Sequence, residues 1–323
     1  PVNGFTPRPE VEAIYSSDQL EAGAHGRSME HRRNIMSTAL RRAALVAASS
    51  AIIVSALPAL AEEDPLERGR YLMQSIVACG NCHTPQGPDG PQPGMELAGG
   101  MPIELPGFVA YAPNITPDAE TGIGTWTDEQ IVEAIRNGKR PDGTTIGPPM
   151  PIGMYRGLSD QDVKAIVAYL RSVPAVRNEV PKSRYDFPLP DSYGPSVSHV
   201  PEPDRSDMVA YGAYLAGPAG HCIECHTPMV DGHFDLENSL GAGGLHIPGP
   251  WGLSVSANIT PDVRDGIGAW TDQQIKDAIP KGIRPDGSRL APPMPYGYYA
   301  NMTDADLDAI IAYLRTLKPL PDP

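Results

Sequence analysis

Apolar residues return at helical spacing after Ser159, where Val163, Ile166, Val167 and Leu170 share one face. The same pattern follows Thr303, with Leu307, Ile310, Ile311 and Leu314. Ser159 and Thr303 are read as the N-caps of these last helices. Thr127 with Gln130, and Thr271 with Gln274, form capping boxes that predict a middle helix in each half. Pro280 falls inside the second of these and is expected to end it early. Asp64-Pro65 places a cap and a first-turn proline at the start of a helix leading toward Cys79, and Ser206-Asp207 opens its equivalent before Cys222. Gly69 and Gly212 interrupt these otherwise good helices, where glycine costs about 1 kcal/mol. Two readings fit them: a close crossing against Tyr169 or Tyr313 of the last helix, and a tolerated surface glycine.

The elements occur in pairs because the chain is duplicated. Gly69 and Tyr71-Leu72 match Gly212 and Tyr214-Leu215 at an offset of 143 residues. Further on the offset is 144: Asn114-Ile115-Thr116-Pro117-Asp118 matches Asn258-Ile259-Thr260-Pro261-Asp262. Gly122-Ile123-Gly124 and Trp126-Thr127-Asp128 match Gly266-Ile267-Gly268 and Trp270-Thr271-Asp272. Pro148-Pro149-Met150-Pro151 matches Pro292-Pro293-Met294-Pro295, and Ala168-Tyr169-Leu170-Arg171 matches Ala312-Tyr313-Leu314-Arg315. Each copy, of about 115 residues, is a normal domain length.

Each copy carries Cys-x-x-Cys-His, as Cys79-Gly80-Asn81-Cys82-His83 and Cys222-Ile223-Glu224-Cys225-His226. This is the attachment signature of c-type haem, in which both thiols bond the porphyrin and the histidine becomes the proximal iron ligand. Zinc binding would need further convergent ligands, and thiol redox chemistry does not require the trailing histidine. The two motifs use all four cysteines of the chain, so none is left for a disulfide. Two covalent haem c groups are therefore the expected cofactors.

The repeat also nominates the sixth iron ligand. Met150 and Met294 are kept in register, each in a stiff Pro-Pro-Met-Pro loop that lacks backbone donors. A thioether there would close the iron site and raise its potential. Met154 competes in the first copy, but its counterpart is Tyr298, which is no equivalent ligand. Histidine ligation is the other alternative; of the candidates His199, His221, His233 and His246, none recurs in register. His221 directly precedes Cys222, on the proximal side.

The stretches 84–122 and 227–266 are long, rich in Gly and Pro, and weakly periodic. Loops of this length usually serve a purpose, and wrapping an apolar porphyrin suits a chain with only four Phe. Trp126, Trp270, Asn114 and Asn258 fit two roles, as donors to haem propionates or as a packed indole and a turn-forming amide. The expected fold is mainly α, with long Gly/Pro-rich loops around covalent haem.

Composition and charge refine the organisation. Residues 1–28 form an unexplained tail. Residues 29–61 read as a secretory signal: Arg32, Arg33, Arg41 and Arg42 precede an apolar run from Ala43 to Ala59, and Ala59-Leu60-Ala61 fits the cleavage pattern. An uncleaved anchor is the alternative, against which stand the run's shortness and Pro58. The first domain is assigned to 62–178, a Pro-rich, extended linker to 179–203, and the second domain to 204–323. After residue 61 the chain holds 19 basic and 34 acidic side chains, which excludes nucleic acid as a partner and suits either a basic docking surface or simple solubility.

With both Cys-x-x-Cys-His motifs, the Asn-Ile-Thr-Pro-Asp and Gly-Ile-Gly-x-Trp-Thr-Asp segments and the Pro-Pro-Met-Pro loops in place, the chain resembles the multihaem cytochrome c subunits of bacterial periplasmic dehydrogenases for alcohols, aldehydes and gluconate. The resemblance covers nearly all of 64–320. It implies two tandem class I cytochrome c domains, with His83/Met150 and His226/Met294 as axial pairs. It also implies electron transfer from a dehydrogenase catalytic subunit toward quinone, or a downstream cytochrome or oxidase, in the periplasm or at the periplasmic face of the inner membrane. The best-known members carry three haem motifs, whereas this chain has two. The alternatives are a free-standing carrier, a dihaem enzyme of the peroxidase or thiosulfate-oxidising kind, and a haem sensor or oxidase subunit. An enzyme needs an open iron site, and the matched Met150 and Met294 loops argue against one.

Overall fold

The computed structural model describes residues 63–88, 90–249 and 251–323. The expected tail and secretory segment lie outside the described residues. The first helix, α1 (Pro65–Gln74), starts where Asp64 accepts the Leu66 amide at 2.9 Å. A single turn, α2 (Gly80–His83), follows. Then come α3 (Asp128–Asn137), which opens with the Thr127/Gln130 capping box and closes on left-handed Gly138, the short α4 (Ile152–Tyr155), and α5 (Asp160–Ser172), capped by Ser159. The second copy repeats the order as α6 (Met208–Tyr214), a π-helical turn over Leu215–Ala219, α7 (Cys222–Cys225), α8 (Asp272–Lys281), α9 (Tyr296–Tyr299) and α10 (Asp304–Leu314).

Two expectations need correction. Pro280 does not shorten α8, which has the same ten residues as α3. It sits in the last turn, one residue before the helix ends, and Gly282 turns left-handed as Gly138 does, so the proline removes only one terminal bond. The two long loops also contain regular structure. The first holds the antiparallel pairs β1 (Gln86–Gly87) with β2 (Gly90–Pro91), and β3 (Pro102–Leu105) with β4 (Phe108–Tyr111). A short linker strand, β5 (Arg184–Tyr185), extends the latter pair. The second holds β6 (Met229–Val230) with β7 (His233–Phe234), and β8 (His246–Gly249) with β9 (Gly252–Val255).

The mid-helix glycines mark close crossings. A Cβ on Gly69 would collide with the Ala165 carbonyl oxygen and stand 3.0 Å from Tyr169 Cβ, so α1 and α5 touch backbone to backbone. Gly212 repeats this against Ala309 and Tyr313, where α6 meets α10. The cost of glycine in a helix is thus offset by a packing distance that no other residue permits.

The two domains share one hydrophobic core, to which Leu72, Ile76 and Tyr155 contribute from the first and Leu215, Tyr214 and Tyr299 from the second. Their junction is pseudo-symmetric. The Tyr71 hydroxyl donates to Asp306 Oδ2 at 2.5 Å, and the equivalent Tyr214 hydroxyl donates back to Asp162 Oδ2 at 2.6 Å. The Thr303 amide donates to the Tyr71 oxygen at 3.1 Å and the Ser159 amide to that of Tyr214 at 3.3 Å. Each domain thus offers the other the same patch, as an isologous pair does. Pro218, within the π-helical turn, packs on Gly157 of the first domain.

The linker is held by contacts rather than by proline stiffness alone. It lies along the first domain: Tyr185 pairs with Phe108 and Arg184 with Val109, and the Tyr193 hydroxyl donates to the Ile146 carbonyl at 2.7 Å. Near its end, the Asp160 amide donates to the Val200 carbonyl at 2.9 Å and the Val200 amide to Asp160 Oδ1 at 3.1 Å. Among the described residues, no helix is long and apolar enough to cross a membrane.

Candidate functional site

Each Cys-x-x-Cys-His segment forms one helical turn, entered through a residue with left-handed backbone. Ala78 has φ 50° and His221 has φ 41°, at matching positions just before Cys79 and Cys222. Non-glycine residues pay roughly 1–2 kcal/mol for that conformation, and its repetition marks a shape both copies require. No sequence signal distinguishes these two residues.

The histidines are oriented identically. His83 Nδ1 donates to the Pro113 carbonyl at 2.8 Å, and His226 Nδ1 to the Ala257 carbonyl at 2.6 Å. These bonds fix the neutral tautomer and leave Nε2 with its lone pair for a metal. Burial lowers both imidazole pKa values, opposed by the carbonyl bonds. Burial also pushes the thiols up, Cys79 to about 12 and Cys222 to about 11. Protonated, desolvated thiols do not suit thiolate redox chemistry. None of the four cysteines is in a disulfide. Among the described residues, no group of three or more His, Cys, Asp or Glu is placed to hold a metal ion, as a zinc cage would need. Paired thiols beside an imidazole with a free Nε2 fit covalent haem.

Met150 and Met294 are half-buried and pack against the core cluster, as Cys79 and Cys222 do. The loops holding them are pinned by equivalent carbonyls and different donors. The Tyr185 hydroxyl of the linker donates to the Pro148 carbonyl at 2.8 Å, whereas in the second domain Ser254 Oγ donates to the Pro292 carbonyl at 2.5 Å. Met154 lies on α4, outside the proline loop. Of the alternative histidines, His199 bonds Asp160 at 2.7 Å on the linker, while His233 and His246 lie exposed on β7 and β8.

The Asn114 amide is engaged within the protein. Its Nδ2 donates to Thr121 Oγ1 at 3.0 Å and to the Val176 carbonyl at 2.7 Å, which uses both of its hydrogens. Its Oδ1 accepts from the Thr116 amide at 2.9 Å, and Asn258 bonds Thr260 in the same way. The turn-forming role thus holds for Asn114. Trp126 and Trp270 pack partly buried against the core. Their carbonyls are held by Arg171 and Arg315, arginines the repeat kept in register.

The two motif turns face the shared junction. The Tyr298 hydroxyl from the second domain fills the space beside Gly80 in the first motif, where any Cβ would collide with it. The Tyr155 ring from the first domain meets His221 edge-on at 6.0 Å, beside the second motif. Ile76 packs on Gly220, where a Cβ would lie 2.6 Å from Ile76 Cδ1. Burial, then Glu224 and Cys222, push the Cys225 thiol up to about 12. Burial pushes Glu224 itself up to about 7 and His221 down to about 4. Tyr155 and Tyr299, equivalent and buried in this junction, escaped the reading by motif because a tyrosine alone signals only core.

A protein-family profile for cytochrome c matches residues 66–174 and again 209–318. The chain is 34% identical over 308 residues to the fructose dehydrogenase cytochrome subunit of Gluconobacter japonicus, covering 90% of this chain and 60% of that protein. It is 30% identical over 271 residues to the gluconate 2-dehydrogenase cytochrome c subunit of Pantoea cypripedii, covering 78% and 59%. It thus spans about three-fifths of the length of these two relatives. A diheme cytochrome c-type protein of Cereibacter sphaeroides is 29% identical over 257 residues, covering 73% of this chain and 81% of that protein. The chain belongs to the cytochrome c family, as two tandem domains with two covalently bound haem c groups.

Proposed function

We propose that the chain passes electrons from the catalytic subunit of a periplasmic dehydrogenase toward quinone or a downstream cytochrome. The observation that carries this reading is the junction. Both attachment turns face it, with Tyr298 against Gly80 and Tyr155 against His221. The residues that would hold the two groups are thus tied to one shared junction. Bound haem supplies an iron that cycles between ferric and ferrous states.

The residues have distinct tasks. Cys79 and Cys82 would hold one group and Cys222 and Cys225 the other, while the Nδ1 bonds of His83 and His226 leave Nε2 available to the metal. Met150 and Met294, in matched proline loops packed against the core, would supply the further iron ligands, and a site so filled favours electron transfer over substrate binding at iron. The reading is also supported by relatives named as cytochrome subunits of fructose and gluconate dehydrogenases.

Purification of the tagged native protein tests this, with co-purifying chains identified by mass spectrometry. The expected result is a stoichiometric dehydrogenase whose substrate reduces both haems in stopped-flow spectra. A protein recovered intact without one, whose reduced form binds carbon monoxide rapidly or turns over peroxide, would instead be an enzyme.

A further inference from the structure

The two attachment turns are equivalent, but what lies against them is not. Gly80 and Asn81 of the first turn stand where the second has Ile223 and Glu224. The Tyr298 hydroxyl, from the second domain, occupies the place of the side chain that Gly80 lacks. A Cβ there would collide with its oxygen and stand 3.3 Å from Thr84 Oγ1. The counterpart of Tyr298 is Met154, so this position brings no hydroxyl to the second turn.

Tyr298 is held in place by its own helix and by the first domain. It lies on α9, where its amide donates to the Pro295 carbonyl at 2.9 Å. Its carbonyl accepts the Asn301 amide at 2.9 Å. Asn301 Nδ2 in turn donates across the junction to the carbonyl of Gln74, the last residue of α1, at 2.9 Å. Thr84, next to His83, differs from its counterpart as well. Thr84 Oγ1 accepts the Leu97 amide at 3.1 Å, as Thr227 Oγ1 accepts the Gly241 amide at 3.1 Å. The Thr227 hydroxyl donates back to the Ile223 carbonyl of its own turn. The Thr84 hydroxyl stands beside the Tyr298 oxygen instead. Burial pushes the Tyr298 phenol up to about 12, with the Thr84 hydroxyl opposing it as a hydrogen-bond partner. At neutral pH the phenol is therefore a fixed dipole and not a charge.

We propose that Tyr298 is a positioning residue for the first haem, a side chain of the second domain that braces the Cys79–Cys82 turn and sets that haem's potential apart from the other's. The braced turn carries both attaching thiols and ends on His83, so holding it holds the proximal ligand. A hydroxyl fixed in a largely desolvated site acts strongly on a nearby change of charge, and outer-shell groups tune a metal in this way. The repeat makes the two sites alike, and the junction makes them differ, which gives an electron a preferred side. The inference rests on the two attached groups, and it stands whether or not the electron donor is a dehydrogenase.

Tyr298→Phe in the holoprotein tests this, because it removes the hydroxyl and keeps the ring. Proton NMR through a redox titration follows the oxidised fraction of each haem separately, with haem signals assigned through contacts with the residues of each motif. The expected result is a change of at least threefold in the equilibrium constant for electron sharing between the haems, carried by the first haem, with the second unmoved. Gly80→Ala displaces the hydroxyl from the other side of the contact and should move the same haem; Tyr298→Phe decides even where Gly80→Ala fails to take up haem. Denaturant unfolding of Tyr298→Phe separates tuning from packing. A loss of stability with an unaltered sharing constant would make Tyr298 a packing residue and overturn the proposal. So would a sharing constant unaltered at full stability, equal movement of both haems, a shift confined to the second, or a folded Gly80→Ala that leaves the first haem unmoved.

Discussion

The Tyr214 hydroxyl donates to Asp162 Oδ2 at 2.6 Å across the domain boundary. Asp162 is fully buried and also takes two bonds from Arg68 of its own domain, at 2.7 and 2.9 Å. The equivalent Asp306 receives Tyr71 at 2.5 Å, but the position equivalent to Arg68 is Tyr211, so that carboxylate has no guanidinium of its own. The symmetry of the junction is thus geometric and not electrostatic. The hydroxyl matters more to Asp306 than to Asp162.

Removing these hydroxyls should reveal that difference. Tyr71→Phe is expected to cost about 2–3 kcal/mol, because it leaves a nearly buried carboxylate without its tyrosine donor. Tyr214→Phe should cost about 1 kcal/mol, since Arg68 continues to satisfy Asp162. Denaturant unfolding of each holoprotein measures both. The double variant should convert one cooperative transition into two. Equal costs for the single variants would show that Arg68 contributes nothing to the difference.

Much of this arrangement was legible beforehand because it follows from local rules. Asp64, Thr127, Ser159, Thr271 and Thr303 cap the helices that their positions imply. The duplication located each Cys-x-x-Cys-His turn and each methionine loop. Pro280 misled because a helix-breaking residue in the last turn has little helix left to break. The strands β3, β4, β8 and β9 were hidden in glycine- and proline-rich loops, where short pairing leaves almost no periodic trace. The junction was not legible, since Tyr71 and Asp306 are 235 residues apart and nothing local marks either as a partner.

The glycine crossings should be intolerant of a single methyl group. Gly69→Ala and Gly212→Ala each drive a Cβ into a carbonyl oxygen of the facing helix, so the backbones must separate. Each is expected to lose about 3 kcal/mol or more despite the gain in helix propensity. Gly153, with nothing within 4 Å of its Cβ position, supplies the control. Comparable losses for Gly153→Ala would remove the crossing as the cause.

Acid should release the end of the linker before it unfolds the domains. Burial works to raise the Asp160 pKa, but bonds from His199, Arg136 and the Val200 amide outweigh it and bring the carboxyl down to about 2. A folded-state pKa below the unfolded value, roughly 3.9, means that this contribution is complete above that value. It is lost as the pH falls from about 4 to about 2. Hydrogen exchange at Val200, whose amide donates to Asp160, should therefore accelerate over that window. In Asp160→Asn it should be fast already at neutral pH, with no further acid step. An unchanged step in the variant would assign the acid response to another carboxylate.

The methionine assignment makes a redox prediction that separates Met150 from Met154. Met150 lies in the loop whose Pro148 carbonyl Tyr185 holds, whereas Met154 lies on α4 and has Tyr298 as its counterpart. Replacing a thioether by imidazole at iron lowers the potential, because methionine favours the ferrous state. Met150→His should therefore lower one of two titrating potentials, by on the order of 100 mV, and leave the other in place. Met154→Leu should move neither by a comparable amount. Met294→His should lower the other potential, which would assign each to its domain. Tyr185→Phe, which unpins only the first loop, should perturb the potential that Met150→His moves and spare the one that Met294→His moves. Potentiometric titration of the four holoproteins decides the matter: a fall with Met154→Leu but not with Met150→His would transfer the ligand role to α4.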